Sequence, residues 1–314
     1  MLDYKPNIVL ATGEYKVVGT RPIRHDGADK VTGQAKYGAD IILPGLLHGK
    51  ILRSPHAHAR IKSIDTSKAE AAPGVHAVVT SADWEQPTGK VEDLAEGSIH
   101  NLRFLSNNIL AYGKVLYKGH AVAAVAAANP HQAEEALALI DVDYEVLTPV
   151  NNFREAMKEG APLLHERLET LSAPGLRAGG YKSDEDTAMG SNVANHFEFR
   201  VGDVEKGFQE ADVIVEKETN TAAVHQGYIE PHTGTAMWQP DGSLTVWSST
   251  QGHFNARDLL SRLLNLPVSR IRVIPMEIGG GFGAKGILYS EPVAVLLAGK
   301  AGRPVKVTMS RTEV

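Results

Sequence analysis

The sequence predicts an α/β fold over its first half and an α+β fold over its last third, on three observations. First, the run 121–127, AVAAVAA, is followed by Asn129-Pro130. Ala133, Ala136, Leu137 and Ile140 then recur at helical spacing, and the strand-like DVDYEV occupies 141–146. A strand, a crossover helix and a second strand make an α/β layer, with parallel pairing expected where the two strands are neighbours. Second, beyond residue 196 the order changes to strands followed by helices: LTVWS at 244–248 precedes Phe254, Leu259, Leu260, Leu263 and Leu264, one apolar helical face that Asn265-Leu266-Pro267 stops. Third, the 314 residues are 43% hydrophobic and 22% charged, an ordinary globular composition long enough for two cores.

Composition removes several classes of function. The absence of cysteine excludes disulfides, thiolate catalysis, Cys-ligated zinc and iron–sulfur ligation from this chain, so cluster chemistry has to come from a partner. A formal charge of −5, with no Lys/Arg cluster interleaved with aromatics, argues against nucleic acid and acidic membranes as partners. There is no basic segment followed by an apolar core at the start, nor any apolar run of about eighteen residues, so no membrane span and a cytoplasmic location are expected. The organisation expected is an N-terminal arm (1–15), a first domain (16–150), a linker (151–195) and a second domain (196–314).

Along the chain, 17–24 and 32–37 read as strand-like pieces around a turn-rich insert at His25–Asp29, and 46–53 as a strand. His56 and His58 then stand at strand spacing. A metal would need a third ligand and a carboxylate behind them, and neither is present at a recognisable spacing, so local hydrogen bonding is the reading. Residues 74–80 form a buried strand pattern. The acidic cluster Asp184-Glu185-Asp186 reads as a solvated loop within the linker. A short helix is expected at 204–208, and a long alternating strand within 211–225. Gln251 closes a strand just before a helix, and the glycines at 279–283 sit at the equivalent junction one unit later. Two such junctions side by side form a crevice, where ligands bind.

The stretch IRVIPMEIGGGFGAKG, 271–286, places strand residues before a bend that only side-chain-free residues occupy closely. Gly281, Gly283 and Gly286 satisfy G-x-G-x-x-G, the dinucleotide pattern, but only weakly, since most of a doubly wound sheet is missing. Lys285 is followed by Gly286, so a phosphate-cradling loop ending is also absent. The competing reading is a tight turn beneath a packed helix.

These segments together resemble one family. GGGFGAK with its strand, the TQG junction, HQGYIEPH, GTRPIRHDGADKVTGQAKYGADI, ILRSPHAHARI, YKGHAVAAVAA and LIDVDYEVLTPV are similar, in order from about Gly19 to Arg311, to the molybdenum hydroxylases of the xanthine dehydrogenase and aldehyde oxidase type. The resemblance implies an a/b hammerhead domain over 16–150 and the first portion of a molybdopterin-binding domain over 196–314. It places Gln251 where the family has a glutamine that hydrogen-bonds an oxo group on molybdenum, without ligating the metal. Gly252, Gly281, Phe282, Gly283 and Ala284 fall at positions against the cofactor, with Phe282 near the metal. The cofactor implied is molybdopterin, in its cytosine dinucleotide form, with molybdenum held by the pterin rather than by side chains.

Two departures qualify the resemblance. Purine-oxidising members carry a glutamate where this sequence has Gly286, which counts against xanthine-type chemistry; Glu291, further on, is read as a surface or interface residue. The family's general-base glutamate comes from beyond the position of Val314, so it is expected on a partner chain or a later segment, as in the split nicotinate dehydrogenases. The function implied is the molybdopterin-binding subunit, or half-subunit, of an oxidoreductase that oxidises a small heteroaromatic or aldehyde substrate with water. Its expected partners are a second molybdopterin-binding chain or domain, an iron–sulfur subunit carrying 2Fe-2S and an FAD subunit. The alternatives are a non-catalytic scaffold of such a complex, a CoA-ester reductase or a carbon monoxide dehydrogenase of the same family, with a nicotinamide-dependent enzyme a poorer third.

Overall fold

The computed structural model describes residues 15–84, 91–94, 98–166, 168, 171–174, 190–198 and 200–314. Residues 1–36 and 37–314 are separate units. In the first unit, the insert expected between two strand-like pieces is a helix, Gly27–Thr32, and 17–24 carry no regular structure. That helix closes on Gly33, whose positive φ of 76° is one that glycine adopts without penalty.

The second unit is built on a seven-stranded sheet. Its strands are β1 (Leu47–Arg53), β3 (Val75–Thr80), β5 (Ala121–Ala127), β7 (Thr233–Trp238), β8 (Leu244–Ser248), β9 (Ile271–Pro275) and β10 (Val305–Thr308), in spatial order β9-β8-β7-β10-β1-β5-β3. A smaller antiparallel sheet runs β4-β2-β6, with β2 at Ala59–Asp65, β4 at Lys114–Val115 and β6 at Asp141–Val146. Two further two-stranded ladders pair Val91–Leu94 with Ser98–Asn101 and Leu171–Pro174 with Asn195–Glu198.

The large sheet takes strands from both segments expected as domains, because β1 pairs in parallel with β10 at Leu47–Val305 and Gly49–Val307. Gly49 permits that approach: a Cβ there would lie 2.5 Å from a Val307 methyl. β5 is buried at all seven residues between β1 and β3, which is why it reads as an unbroken apolar run.

Four helices matter for the site or the core: α1 (Leu102–Ile109), α2 (Pro130–Leu137), α3 (His253–Leu263) and α4 (Ser290–Ala301). Asn129 starts α2 by accepting the Gln132 amide, with proline at the first helical position. α3 buries Ala256, Leu259, Leu260 and Leu263, three of them on the face its spacing predicts, whereas Phe254, expected on that face, is 64% exposed. α4 is buried at eight of its twelve residues and lies against β7 and β10, with the Trp238 indole donating to the Val295 carbonyl at 3.0 Å.

Three expectations are corrected here. β5 and β6, on either side of α2, do not pair; β6 joins β2 antiparallel in the smaller sheet. Its pattern is half-exposed, which suits an antiparallel sheet open to water on one face rather than a parallel one covered on both. Within 211–225 there is no strand among the described residues, and Val213 and Val215 are 77% and 84% exposed. His56 and His58 lie in the connection between β1 and β2, not on a strand; His58 Nδ1 donates to the Thr148 carbonyl at 2.7 Å, and the His56 ring meets Tyr144 edge-on. No group of three metal-ligating side chains occurs among the described residues. The expected helix at 204–208 is present as Val204–Glu210, capped by Asp203 on the Lys206 amide. The acidic cluster 184–186 and the arm up to residue 14 lie outside the described residues.

Candidate functional site

β8 and β9 are parallel neighbours, so their C-terminal ends open on the same side. β8 leads through Ser249 and Thr250 to Gln251 and then α3; β9 leads to the glycine loop, residues 279–286, and then α4. The two junctions lie side by side, as expected, because their strands are neighbours.

Gln251 ties these junctions together. Its side-chain Oε1 accepts the amides of Gly283 at 3.0 Å and Lys285 at 3.2 Å, while its own backbone amide donates to the Lys285 carbonyl at 2.8 Å. Thr250 Oγ1 donates to the same carbonyl at 3.0 Å. Two backbone donors on one side-chain oxygen fix which end of the amide is which, and both N–H donors of the Gln251 side chain have no acceptor among the described residues. Gln251 does not cap α3: Gly252 is the cap residue, and no side chain caps the helix. Gly252 has its amide bonded to Thr250 Oγ1 and its carbonyl accepting from Ala256, so it offers shape rather than hydrogen bonds.

The loop has an unusual backbone. Phe282 takes φ 52°, between Gly280 at 95° and Gly283 at 94°. A left-handed conformation at a bulky residue costs of order 1–2 kcal/mol and persists only where the surroundings impose it. Phe282 is nonetheless 72% exposed. The amides of Gly280, Gly281 and Phe282 have no acceptor among the described residues. A Cβ on Gly283 would meet nothing within 4 Å, so the loop is open on that side. Successive free amides, a strained exposed aromatic and an oriented primary amide fit a large polar group laid on the backbone. They offer no side-chain ligand to a metal.

Beneath the loop, Lys285 is fully buried and its Nζ lies 2.6 Å from Glu230 Oε2 and 5.3 Å from the centre of the Tyr228 ring. The same Glu230 oxygen accepts the Gly279 amide at 2.7 Å. His232 shares a hydrogen bond with the Tyr228 hydroxyl at 3.0 Å, and burial, together with the charges of Lys285 and His225, holds its pKa down at about 4. A cavity of about 570 Å³ adjoins the loop at Ala284, with Tyr228, His232 and Tyr289 among its walls.

All six residues singled out for the cofactor, Gln251, Gly252, Gly281, Phe282, Gly283 and Ala284, therefore lie at these two junctions. Glu291 is not on the surface as expected. It is 3% exposed, accepts from Ser248 Oγ at 2.5 Å and from the Tyr289 amide at 3.3 Å, and burial pushes its carboxyl pKa up. The reason is its place in the first turn of α4, packed against β7 opposite Gly234, where a Cβ would come within 2.7 Å of Glu291 Cα. Glu230 and Lys285 were missed as a pair. The available signal was a lone carboxylate in YIEPH and a lone cation in GFGAKG, each inside a neutral stretch.

Residues 32–148 match the aldehyde oxidase and xanthine dehydrogenase a/b hammerhead domain, and residues 186–314 match the molybdopterin cofactor-binding domain. The chain belongs to the molybdenum hydroxylase family. Among the relatives of this molybdenum hydroxylase chain, the xanthine dehydrogenase molybdenum-binding subunit of Escherichia coli O157:H7 is 30% identical over 93% of the chain and 36% of its own length. The nicotinate dehydrogenase large molybdopterin subunit of Eubacterium barkeri is 33% identical over 96% of the chain and 63% of its own length. The solved CO dehydrogenase of Oligotropha carboxidovorans superposes with a TM-score of 0.74 at 35% identity, covering 94% of this chain and 35% of that one. Quinoline 2-oxidoreductase of Pseudomonas putida 86 gives 0.73 at 28% identity, covering 96% and 35%. The chain thus spans about a third of the length of most of these relatives, and nearly two thirds of the Eubacterium subunit. No helix among the described residues is long and apolar enough to cross a membrane.

Proposed function

We propose that this chain is the molybdopterin-binding subunit, or half-subunit, of a molybdenum-dependent hydroxylase acting on a small heteroaromatic or aldehyde substrate. Its cofactor is the cytosine dinucleotide form of molybdopterin with molybdenum, and its partners are a second molybdopterin-binding chain or segment and 2Fe-2S and FAD subunits in the cytoplasm. Held at this site, the molybdenum group would supply the oxidation, with water as the source of oxygen and the substrate as the source of the electron pair. The residues of this chain bind and orient. Gln251 presents its two N–H donors to an oxo group, and the free amides of Gly280, Gly281 and Phe282 receive anionic oxygens. Phe282 and Gly283 lie against the group, and the cavity beside Ala284 receives the substrate. The neutral His232 and Tyr228 make one wall of that recess without adding charge. The general-base carboxylate comes from another chain or a later segment.

The observation that carries this reading is Gln251: its oxygen is consumed by the loop it faces, which leaves only donors for a ligand. The test is Gln251→Ala in the native assembly, read by metal analysis and turnover together. Removal of one preorganised donor to a developing negative charge lowers turnover by about 100-fold, while most of the molybdenum stays bound. Unchanged turnover at full molybdenum content contradicts the role given to Gln251, and a wild-type assembly that binds no molybdenum contradicts the proposal as a whole.

A further inference from the structure

We propose that Glu230 and Lys285 are positioning residues: a buried strut that sets the shape of the glycine loop and thereby the seat of the cofactor. The inference rests on reading that loop as the cofactor cradle. One oxygen, Glu230 Oε2, accepts from the Gly279 amide at 2.7 Å and from Lys285 Nζ at 2.6 Å, so it joins the entry of the loop to its exit. The Glu230 amide donates to the Gly279 carbonyl at 3.2 Å, which makes the first contact reciprocal. At the far end, Gln251 Oε1 holds the Gly283 and Lys285 amides. Phe282 sits between these two clamps in its left-handed conformation. Gln251 holds the exit alone, whereas Glu230 ties Gly279, at the entry, to Lys285.

A purely stabilising role does not account for the pair. Burying a lysine and a glutamate together brings little or no net stability over two apolar residues of the same volume, because desolvation offsets the attraction. What an ion pair adds is directional bonding, and here the bonds fall on the two ends of the loop. The closeness of packing agrees, since a Cβ on Gly279 would come 2.6 Å from Glu230 Cβ. Tyr228 covers Lys285, and His232, bonded to the Tyr228 hydroxyl, is neutral at pH 7.

The test uses two variants of the full chain. Glu230→Met/Lys285→Met removes charge and bonds together while keeping volume; Glu230→Gln keeps an acceptor for Gly279 but ends the ion pair. Hydrogen exchange is read on the cofactor-free protein, and molybdenum content with the Mo(V) electron paramagnetic resonance signal on the loaded assembly. For the double variant, the amides of β7 and β8 exchange as in the wild type. Those of Gly279, Gly283 and Lys285 exchange faster by about tenfold or more, the effect of losing a charge-assisted hydrogen bond on local opening. Molybdenum content falls below half, and the Mo(V) signal of what remains changes shape. Wild-type loop exchange and molybdenum content in a folded double variant overturn the proposal. If the double variant loses protection in β7 and β8 as well, Glu230→Gln decides: faster exchange confined to the loop supports the strut, and wild-type exchange overturns it. Wild-type protein that never takes up molybdenum ends the cradle reading and leaves the exchange result standing.

Discussion

The glycine loop at 279–286 and the extended stretch at 212–227 both lie outside the sheets, and the loop's one regular feature is the single 3-10 turn Ala284–Gly286. They are held very differently. The loop is bonded at Gly279, Gly283 and Lys285 to side chains from two other parts of the chain, Glu230 and Gln251, and Lys285 is wholly buried. The stretch has Glu218 paired with Arg154 on the surface and a turn from the Gly227 amide to His225, while residues 212–227 are exposed throughout. Regular secondary structure is therefore not what fixes a backbone here. Side chains arriving from distant sequence positions do so, and they hold even a strained Phe282 in place.

The largest effect that can break this comparison is the loss of Lys285 alone. Lys285→Ala leaves the Glu230 carboxylate buried without its cation, and a loss of about 3–5 kcal/mol in urea denaturation is expected; a loss below about 1 kcal/mol, the size of an exposed pair, shows that the two residues are solvated. Acid comes next. His120 and His232 both titrate at about 4 in the folded chain against an ordinary 6.5, chiefly because burial disfavours the imidazolium. The unfolded chain takes up these protons first, so stability is complete above pH 6.5 and is lost as pH falls towards 4, by up to about 3 kcal/mol per histidine. Glu291 works in the opposite sense: its raised pKa means that its contribution is complete below 4.5 and weakens as pH rises. Urea midpoints at pH 7, 5.5 and 4 measure the balance, and replacing His232 with Gln flattens the acid side if the assignment is right. The finest contrast is between two loop glycines. A Cβ on Gly281 would meet Gln251 Cδ at 2.6 Å, whereas one on Gly286 would meet nothing within 4 Å, and Gly286 has no positive φ. Gly281→Ala costs about 1–3 kcal/mol and displaces Gln251, whereas Gly286→Ala stays within about 0.5 kcal/mol of the wild type; equal costs would mean that Gln251 does not press on the loop.

What could be read from the sequence was whatever local chemistry decides. Asn129-Pro130 starts α2, the unbroken AVAAVAA run makes a buried strand, and the glycines of GGGFG mark a bend beside Gln251. The family resemblance added the grouping of the six residues proposed for the cofactor, and these do lie at the two junctions. What could not be read was tertiary. Val213 and Val215 alternate as a strand does, but alternation makes a strand only where an edge is there to pair with it. Glu291 looked like a surface carboxylate because charge usually faces water, and only the packing of α4 against β7 buries it. Residues 47 and 305 pair in one sheet, and Glu230 meets Lys285 across 55 residues, distances at which spacing carries no signal.

A loop clamped at both ends in this way is preformed, holding its shape before any cofactor arrives. Residue-resolved hydrogen exchange on the cofactor-free full chain tests it most directly. The amides of Gly279, Gly283 and Lys285 are expected to be protected by about tenfold or more over those of 213–215, which exchange at the rate of an open chain. Loop amides that exchange as fast as 213–215 until molybdopterin is bound contradict it, because the cofactor would then be shaping the loop.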